Sequence, residues 1–254
     1  MGRHLKRLAS PTTWHVPRKT NVWITTTNPG PHPKDRALPL AIIVRDVLKL
    51  CDFRREAKSI ISGRGVAVDG RIVTDIRFPV GLMDRLALAK SDQYFQMLIN
   101  KQGKILPVPI EKGDAKWKLV RIEGKRKIKG GKFQINTHDG RCFVMDECKY
   151  RPGDVLKIEL LKQKVLGYLP FAKGNIAYII GGSHVGETGH IDSVEVVKGS
   201  MPNQVRFKEG FATRVENAFV IGTTKALVSV DFPEPMKEVE ETPAEEDEDK
   251  EAKA

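Results

Sequence analysis

Cysteine is nearly absent, with only Cys51, Cys142 and Cys148 in 254 residues. No Cys-x-x-Cys pair seeds a zinc site, and an odd number at these spacings gives no disulfide framework. Reduced thiols in a cytosolic protein are the expectation. No apolar run approaches the roughly 18 residues of a membrane span. The basic N-terminus runs into Ser10-Pro11-Thr12-Thr13 and not into an apolar signal region. Also missing is an amphipathic helix with a broad apolar face and basic flanks, which argues against a membrane surface as partner. The chain reads as soluble and intracellular.

Acidic residues are scarce until the C-terminal end. Residues 231–254 hold eleven acids and three lysines, a net −8, so residues 1–230 carry +19 of a chain whose total is +11. A body that basic points to a polyanion, because each phosphate contact releases condensed counterions. Nucleic acid is the expected partner. The acidic tail has no apolar periodicity and reads as disordered.

Residues 1–36 hold Arg3, Lys6, Arg7, Arg18, Lys19, Lys34 and Arg36 against the single acid Asp35, with five prolines among them. That density of proline and charge predicts an extended arm that contributes nothing to a core and orders only on its partner. Trp14 and Trp23 are costly on a bare tail; they are suited to stacking on bases or filling a crevice.

From Leu38 to Thr74 two short helical patterns precede a hairpin. Leu40, Ile43, Val44, Val47 and Leu48 recur at helical spacing behind Pro39. The second pattern buries Ala57, Ile60 and Ile61 and stops at Gly63, read as a left-handed cap. Arg55, Lys58 and Ser62 fall on the opposite face. Val66-Ala67-Val68 then meets Arg71-Ile72-Val73 across Asp69-Gly70, the dipeptide suited to a two-residue type I′ turn. With Arg54, Arg64 and Arg71 nearby, this stretch resembles the S-four RNA-binding fold.

Beyond Tyr94 come brief strand patterns at Tyr94–Ile99, Leu119–Ile122, Phe133–Asn136, Arg141–Val144 and Val155–Leu160. Gly103, Gly113-Asp114, Gly130-Gly131, Asp139-Gly140 and Pro152-Gly153 divide them. A compact β domain is expected, with a basic loop of Lys125, Arg126, Lys127 and Lys129 placed to follow a phosphate backbone. Gly174 to Ile191 carries Gly181-Gly182, Gly186 and Gly189 between two strands and resembles the KOW motif of small SH3-like barrels. Two enzyme motifs nearly fit there and fail. Gly181-x4-Gly186-Glu187-Thr188 has P-loop spacing but a glutamate where lysine should meet phosphate. Gly181-Gly182-Ser183-His184-Val185 lacks the second glycine of a nucleophile elbow. A closing strand is expected from Phe211 to Gly222, continuing to Val230.

The order of these pieces is more specific than any one of them. His4-Leu5-Lys6-Arg7, Gly30-Pro31-His32, the helical pair with Val68-Asp69-Gly70-Arg71, Gly81-Leu82-Met83-Asp84, Thr137-His138-Asp139-Gly140-Arg141, the KOW glycines and Phe211-Ala212-Thr213-Arg214 follow in turn. Together they resemble the archaeal and eukaryotic small-subunit ribosomal proteins of the S-four-e family over residues 3 to 230. Overall length and the lack of further extensions favour an archaeal member.

The resemblance implies an α+β protein. Its expected parts are a basic arm (1–37), an S-four-type domain (38–93), a central β domain (94–170), a KOW SH3-like barrel with closing strands (171–230) and an acidic tail (231–254). It also implies a non-catalytic constituent of the cytoplasmic small ribosomal subunit, with small-subunit ribosomal RNA and neighbouring ribosomal proteins as partners. No cofactor, metal, membrane or small-molecule substrate is expected. Fifteen residues are expected at RNA: Arg3, Lys6, Arg7, Trp14, Arg18, Lys19, Arg54, Arg55, Lys58, Arg64, Arg71, Lys125, Arg126, Lys127 and Lys129. Two rivals are weaker. A pseudouridine synthase would carry Gly-Arg-Leu-Asp, whereas Met83-Asp84-Arg85-Leu86 has the letters in the wrong order. A KOW transcription-elongation factor would not explain the helical pair or the arm.

Overall fold

The computed structural model describes residues 4–146, 149–230 and 232. It is mostly antiparallel β-sheet with few helices. The acidic tail expectation and Arg3 lie outside the described residues, as does Cys148.

The N-terminal segment differs from the core-free arm that its composition predicts. Strand β1 (Leu5–Lys6) pairs with β2 (Trp23–Ile24), turning Leu5 and Ile24 inward. Trp14 is 1% exposed, within the main apolar core. Proline and charge exclude a core built by this segment alone, but not docking onto a core built by others.

Strand β3 (Ala37–Pro39) leads directly into helix α1 (Leu40–Ile42). Leu40, Ala41, Ile42, Ile43 and Val44 are all buried. The turn over Ile43–Val47 widens to the i→i+5 pattern, closed by Leu48 N–H donating to Ile43 O at 2.8 Å. Helix α2 (Arg54–Ser62) buries Ala57 and Ile61 at helical spacing. At its N-terminus the Glu56 carboxylate accepts from the N–H groups of Asp52 and Phe53, which have no intrahelical partners. The left-handed residue at its other end is Arg64 (φ 58°), not Gly63 (φ −73°).

The hairpin of β4 (Val66–Val68) and β5 (Arg71–Ile72) turns through Asp69 (φ 50°) and Gly70 (φ 75°), the two positive angles a type I′ turn requires. Strand β6 (Pro79–Gly81) pairs with β3. Strands β7 (Arg85–Leu88), β8 (Gln93–Ile99) and β9 (Ile105–Ile110) extend the hairpin into a five-stranded sheet, ordered β5-β4-β7-β8-β9. Residues 94–110, expected in a separate β domain, therefore share a sheet with the hairpin. Pro107 and Pro109 sit in β9, an edge strand where a missing N–H breaks no ladder.

The second sheet is built on β10 (Trp117–Lys127), with β11 (Phe133–Thr137), β12 (Cys142–Met145), β13 (Val155–Glu159) and β14 (Val165–Leu169) in the order β12-β11-β10-β13-β14. One half of β10 pairs with β13 and the other with β11, across a register shift between Ile122 and Gly124. Val120, Ile122, Ile135, Leu156 and Ile158 form a small core of their own.

The third sheet joins β15 (Ile176–Ile179), β16 (Thr188–Glu195), β17 (Gln204–Phe207), β18 (Ala212–Arg214) and β19 (Ala218–Gly222), in the order β18-β17-β16-β15-β19. The strand expected to run on to Val230 stops at Gly222, and a lone bridge to Ala226 follows. The glycine-rich turn docks on the first sheet. A Cβ at Gly186 would lie 2.5 Å from the backbone at Asn100 and Lys101, and its φ is +81°. That side of the turn is filled by protein, which leaves no cradle for a phosphate. Tyr178, fully buried, donates its hydroxyl to Ile99 O and accepts from Ile99 N–H at 3.0 Å.

Candidate nucleic-acid interface

A buried cluster of charge joins the first and second sheets. Lys118 on β10 is 0% exposed, and its ammonium meets three carboxylates: Asp69 at 2.8 Å, Asp84 at 2.5 Å and Asp139 at 3.2 Å. Arg141 bridges Asp69 (2.8 Å) and Asp139 (3.1 Å) from a second direction. His32 Nε2 lies 3.0 Å from Asp84, and the N–H groups of Gly81 and Arg85 donate to Asp84 and Asp69. A Cβ at Gly81 would sit 2.3 Å from the His32 ring, so only glycine fits there.

Burial alone would strip the proton from Lys118; the three carboxylates override it and hold the ammonium charged well above the usual lysine range. Burial likewise works to raise Asp139, but Lys118 and its other neighbours bring it down to about 2. Four of the sequence words that carry the family resemblance thus converge here. Gly-Pro-His, Val-Asp-Gly-Arg, Gly-Leu-Met-Asp and Thr-His-Asp-Gly-Arg bind one another through these contacts.

His138 lines the same region. Its Nδ1 accepts from Arg121 N–H at 3.1 Å, so Nε2 carries the proton and faces Leu82 O at 3.3 Å. Burial first, and Lys118 second, push its pKa down to about 3. The unfolded chain, with histidine near 6.5, binds more protons than the native state between those values, so stability falls as pH drops through that window. The expected slope is at most about 1.4 kcal/mol per pH unit between roughly pH 6 and 4. In His138→Gln that segment of a urea-midpoint profile should flatten.

Exposed cations lie on α2, on the hairpin and at the end of β10. Arg54, Arg55 and Lys58 are exposed on α2, with Arg64 just beyond it and Arg71 on the hairpin. Among the described residues, none of these five cations has a hydrogen-bond or ion-pair partner in a side chain. Lys125, Arg126, Lys127 and Lys129 are exposed at the far end of the second sheet. The first three extend β10 as strand, correcting the loop reading, and only Lys129 belongs to the turn with Gly130 and Gly131.

The N-terminal residues divide. Lys6 and Lys19 are exposed and Arg18 is half-buried. Arg7 is 3% exposed, donating from Nε to Pro17 O at 2.5 Å. Trp14 is enclosed, with Nε1 donating to Lys34 O at 3.4 Å. Both are enclosed by their own protein in this conformation, and of the two roles open to Trp14 the structure shows the filled crevice. A tryptophan and an arginine in a basic segment look the same whether they face a nucleic acid or their own protein.

Fold and surface define the class first: a β-rich protein built around an S4 domain, whose model matches residues 39–86. A model described as RS4NT (NUC023) domain matches residues 1–35, and one described as Ribosomal family S4e matches residues 91–165. The small ribosomal subunit protein eS4 of Methanothermobacter thermautotrophicus is 38% identical over 232 residues, covering 90% of this chain and 96% of that one. Its counterpart from Methanocaldococcus jannaschii is 39% identical over 240 residues, covering 90% and 97%. The crystal structure of 30S ribosomal protein S4e from Thermoplasma acidophilum aligns with a TM-score of 0.68 at 37% identity, over 75% of this chain and 97% of that chain. The chain belongs to the ribosomal protein family S4e.

Proposed function

We propose that the protein is a structural, non-catalytic constituent of the cytoplasmic small ribosomal subunit, where it binds folded small-subunit ribosomal RNA beside neighbouring ribosomal proteins. The relatives' names support the ribosomal role. The observation that carries RNA binding is the unpaired cationic face of α2, set opposite the buried Ala57 and Ile61. Unpaired surface cations on a rigid helix are free to replace the counterions of a phosphate backbone. The second basic tract, at the end of β10, extends the same charge onto another sheet. The third sheet is read as a KOW-type SH3-like barrel from its glycine-rich turn and closing strands.

The double substitution Arg55→Glu with Lys58→Glu should weaken binding to small-subunit ribosomal RNA while leaving the urea midpoint unchanged. The dependence of log affinity on log salt should flatten by roughly 0.7–0.9 for each phosphate left without its cation. A filter-binding titration with the same affinity and the same slope as the unmodified protein would sink this reading.

A further inference from the structure

A small cleft lies where the N-terminal ribbon meets the S4 module. Trp23 and His4 line it from the ribbon, and Arg45, Arg54 and Arg77 from the module. No acid lines it. Strand alternation seats Ile24 in the core and leaves Trp23 58% exposed, steadied by the His4 ring at 5.8 Å and 60°. The cleft is also built from fixed parts. Arg77 O accepts from Asn28 N–H at 2.9 Å, and Asp75 accepts from Asn28 Nδ2 at 2.7 Å and from Arg77 N–H at 2.9 Å. Asp46 holds the Arg45 guanidinium through two bonds, at 2.8 and 3.1 Å. Among the described residues, the guanidinium groups of Arg54 and Arg77 have no ion-pair partner.

Its volume, about 150 Å³, is below the roughly 300–1,000 Å³ of sites that enclose a small molecule. One aromatic ring fits; a complete cofactor does not. An exposed indole beside unpaired arginines suits a ring that carries its negative charge outside itself. We propose that this cleft captures a single unpaired RNA base, stacked on Trp23, with the flanking phosphates on Arg54 and Arg77. A base inside a duplex has both faces covered by its neighbours, so a bulge or a loop is the class of RNA selected. The inference rests on the RNA-binding reading and goes past it, since a cationic helix face alone does not discriminate a bulge from a closed stem.

The test uses the full chain and two short RNA hairpins, identical except that one carries a bulged adenosine. The bulged hairpin should bind more tightly by roughly 5–150-fold, the value of one stacked base, and should quench the exposed indole. Trp23→Ala should abolish the preference, whereas Trp23→Phe should keep most of it. Since Trp23 projects from the surface, both variants should show the unmodified urea midpoint. Equal binding of the two hairpins, or a preference that survives in Trp23→Ala, overturns the proposal and leaves RNA binding standing. If neither hairpin binds at low salt, both readings fall.

Discussion

Replacing Lys118 with methionine should destabilise the protein by about 3–5 kcal/mol, the cost of breaking a buried ion pair by removing one partner. For a chain of this size that corresponds to a fall in thermal midpoint of roughly 6–20 °C. Methionine fills similar space, so the loss comes from charge. Asp69, Asp84 and Asp139 would be left together, with Arg141 touching only two of them.

The variant should also reverse the pH response. In the native protein Asp139 has its pKa lowered to about 2, so its contribution is complete above the unfolded value near 4 and is lost as pH falls toward 2. Lys118, whose pKa is raised, contributes below its unfolded value near 10.4, and that contribution is lost at higher pH. In Lys118→Met the stranded carboxylates would gain protons on folding, so mild acid should stabilise the variant while it destabilises the parent. Adding Asp84→Asn and Asp139→Asn should restore much of the loss. An unchanged midpoint with an unchanged pH profile would show that the cluster holds nothing together.

Trp14→Ala should cost about 3–5 kcal/mol, the range for emptying a buried aromatic site. Trp14 is wedged among elements far apart in sequence. Thr13 O accepts from Ile105 N–H at 2.9 Å, Thr13 Oγ1 donates to Asp35 O at 2.7 Å, and Lys104 Nζ donates to Thr12 O. The segment therefore closes over the start of β9. Deleting residues 1–36 should lower the thermal midpoint at least as far, by uncovering Ile105 and its neighbours. A truncated protein that melts with the intact one would restore the picture of a free arm.

How much was legible follows distance along the chain. The Asp69-Gly70 turn could be read because both positive angles are demanded by two adjacent residues. Helix α2 could be read because Ala57 and Ile61 lie one turn apart. The second role of Asp69 could not, since Lys118 and Arg141 are 49 and 72 positions away. Nothing local separates Lys118 from the surface lysines around it. The prolines of β9 hid a strand, because a missing N–H is tolerated only at an edge and edges are not visible in sequence. The outward direction of the α2 cations could be read for the complementary reason: an amphipathic period fixes which face is out. Arg45, Arg77 and Trp23 come together only after the ribbon folds onto the module, which no spacing reveals.

The sequence separation of the cluster's members also decides when it can close during synthesis. Asp69 and Asp84 leave the polypeptide exit well before Lys118, and Arg141 follows later still. Until that second sheet emerges, the hairpin turn and the residue before β7 carry two carboxylates that are destined for a dry interior but lack the lysine and arginine they meet there. The S4 module of this chain is therefore expected to remain open to water early in translation, and to set only when β10 crosses it. Contacts of such long sequence separation close late and slowly. The cationic helix is thereby complete before its own scaffold is rigid, and under the proposed RNA binding, assembly and the last step of folding would overlap in time.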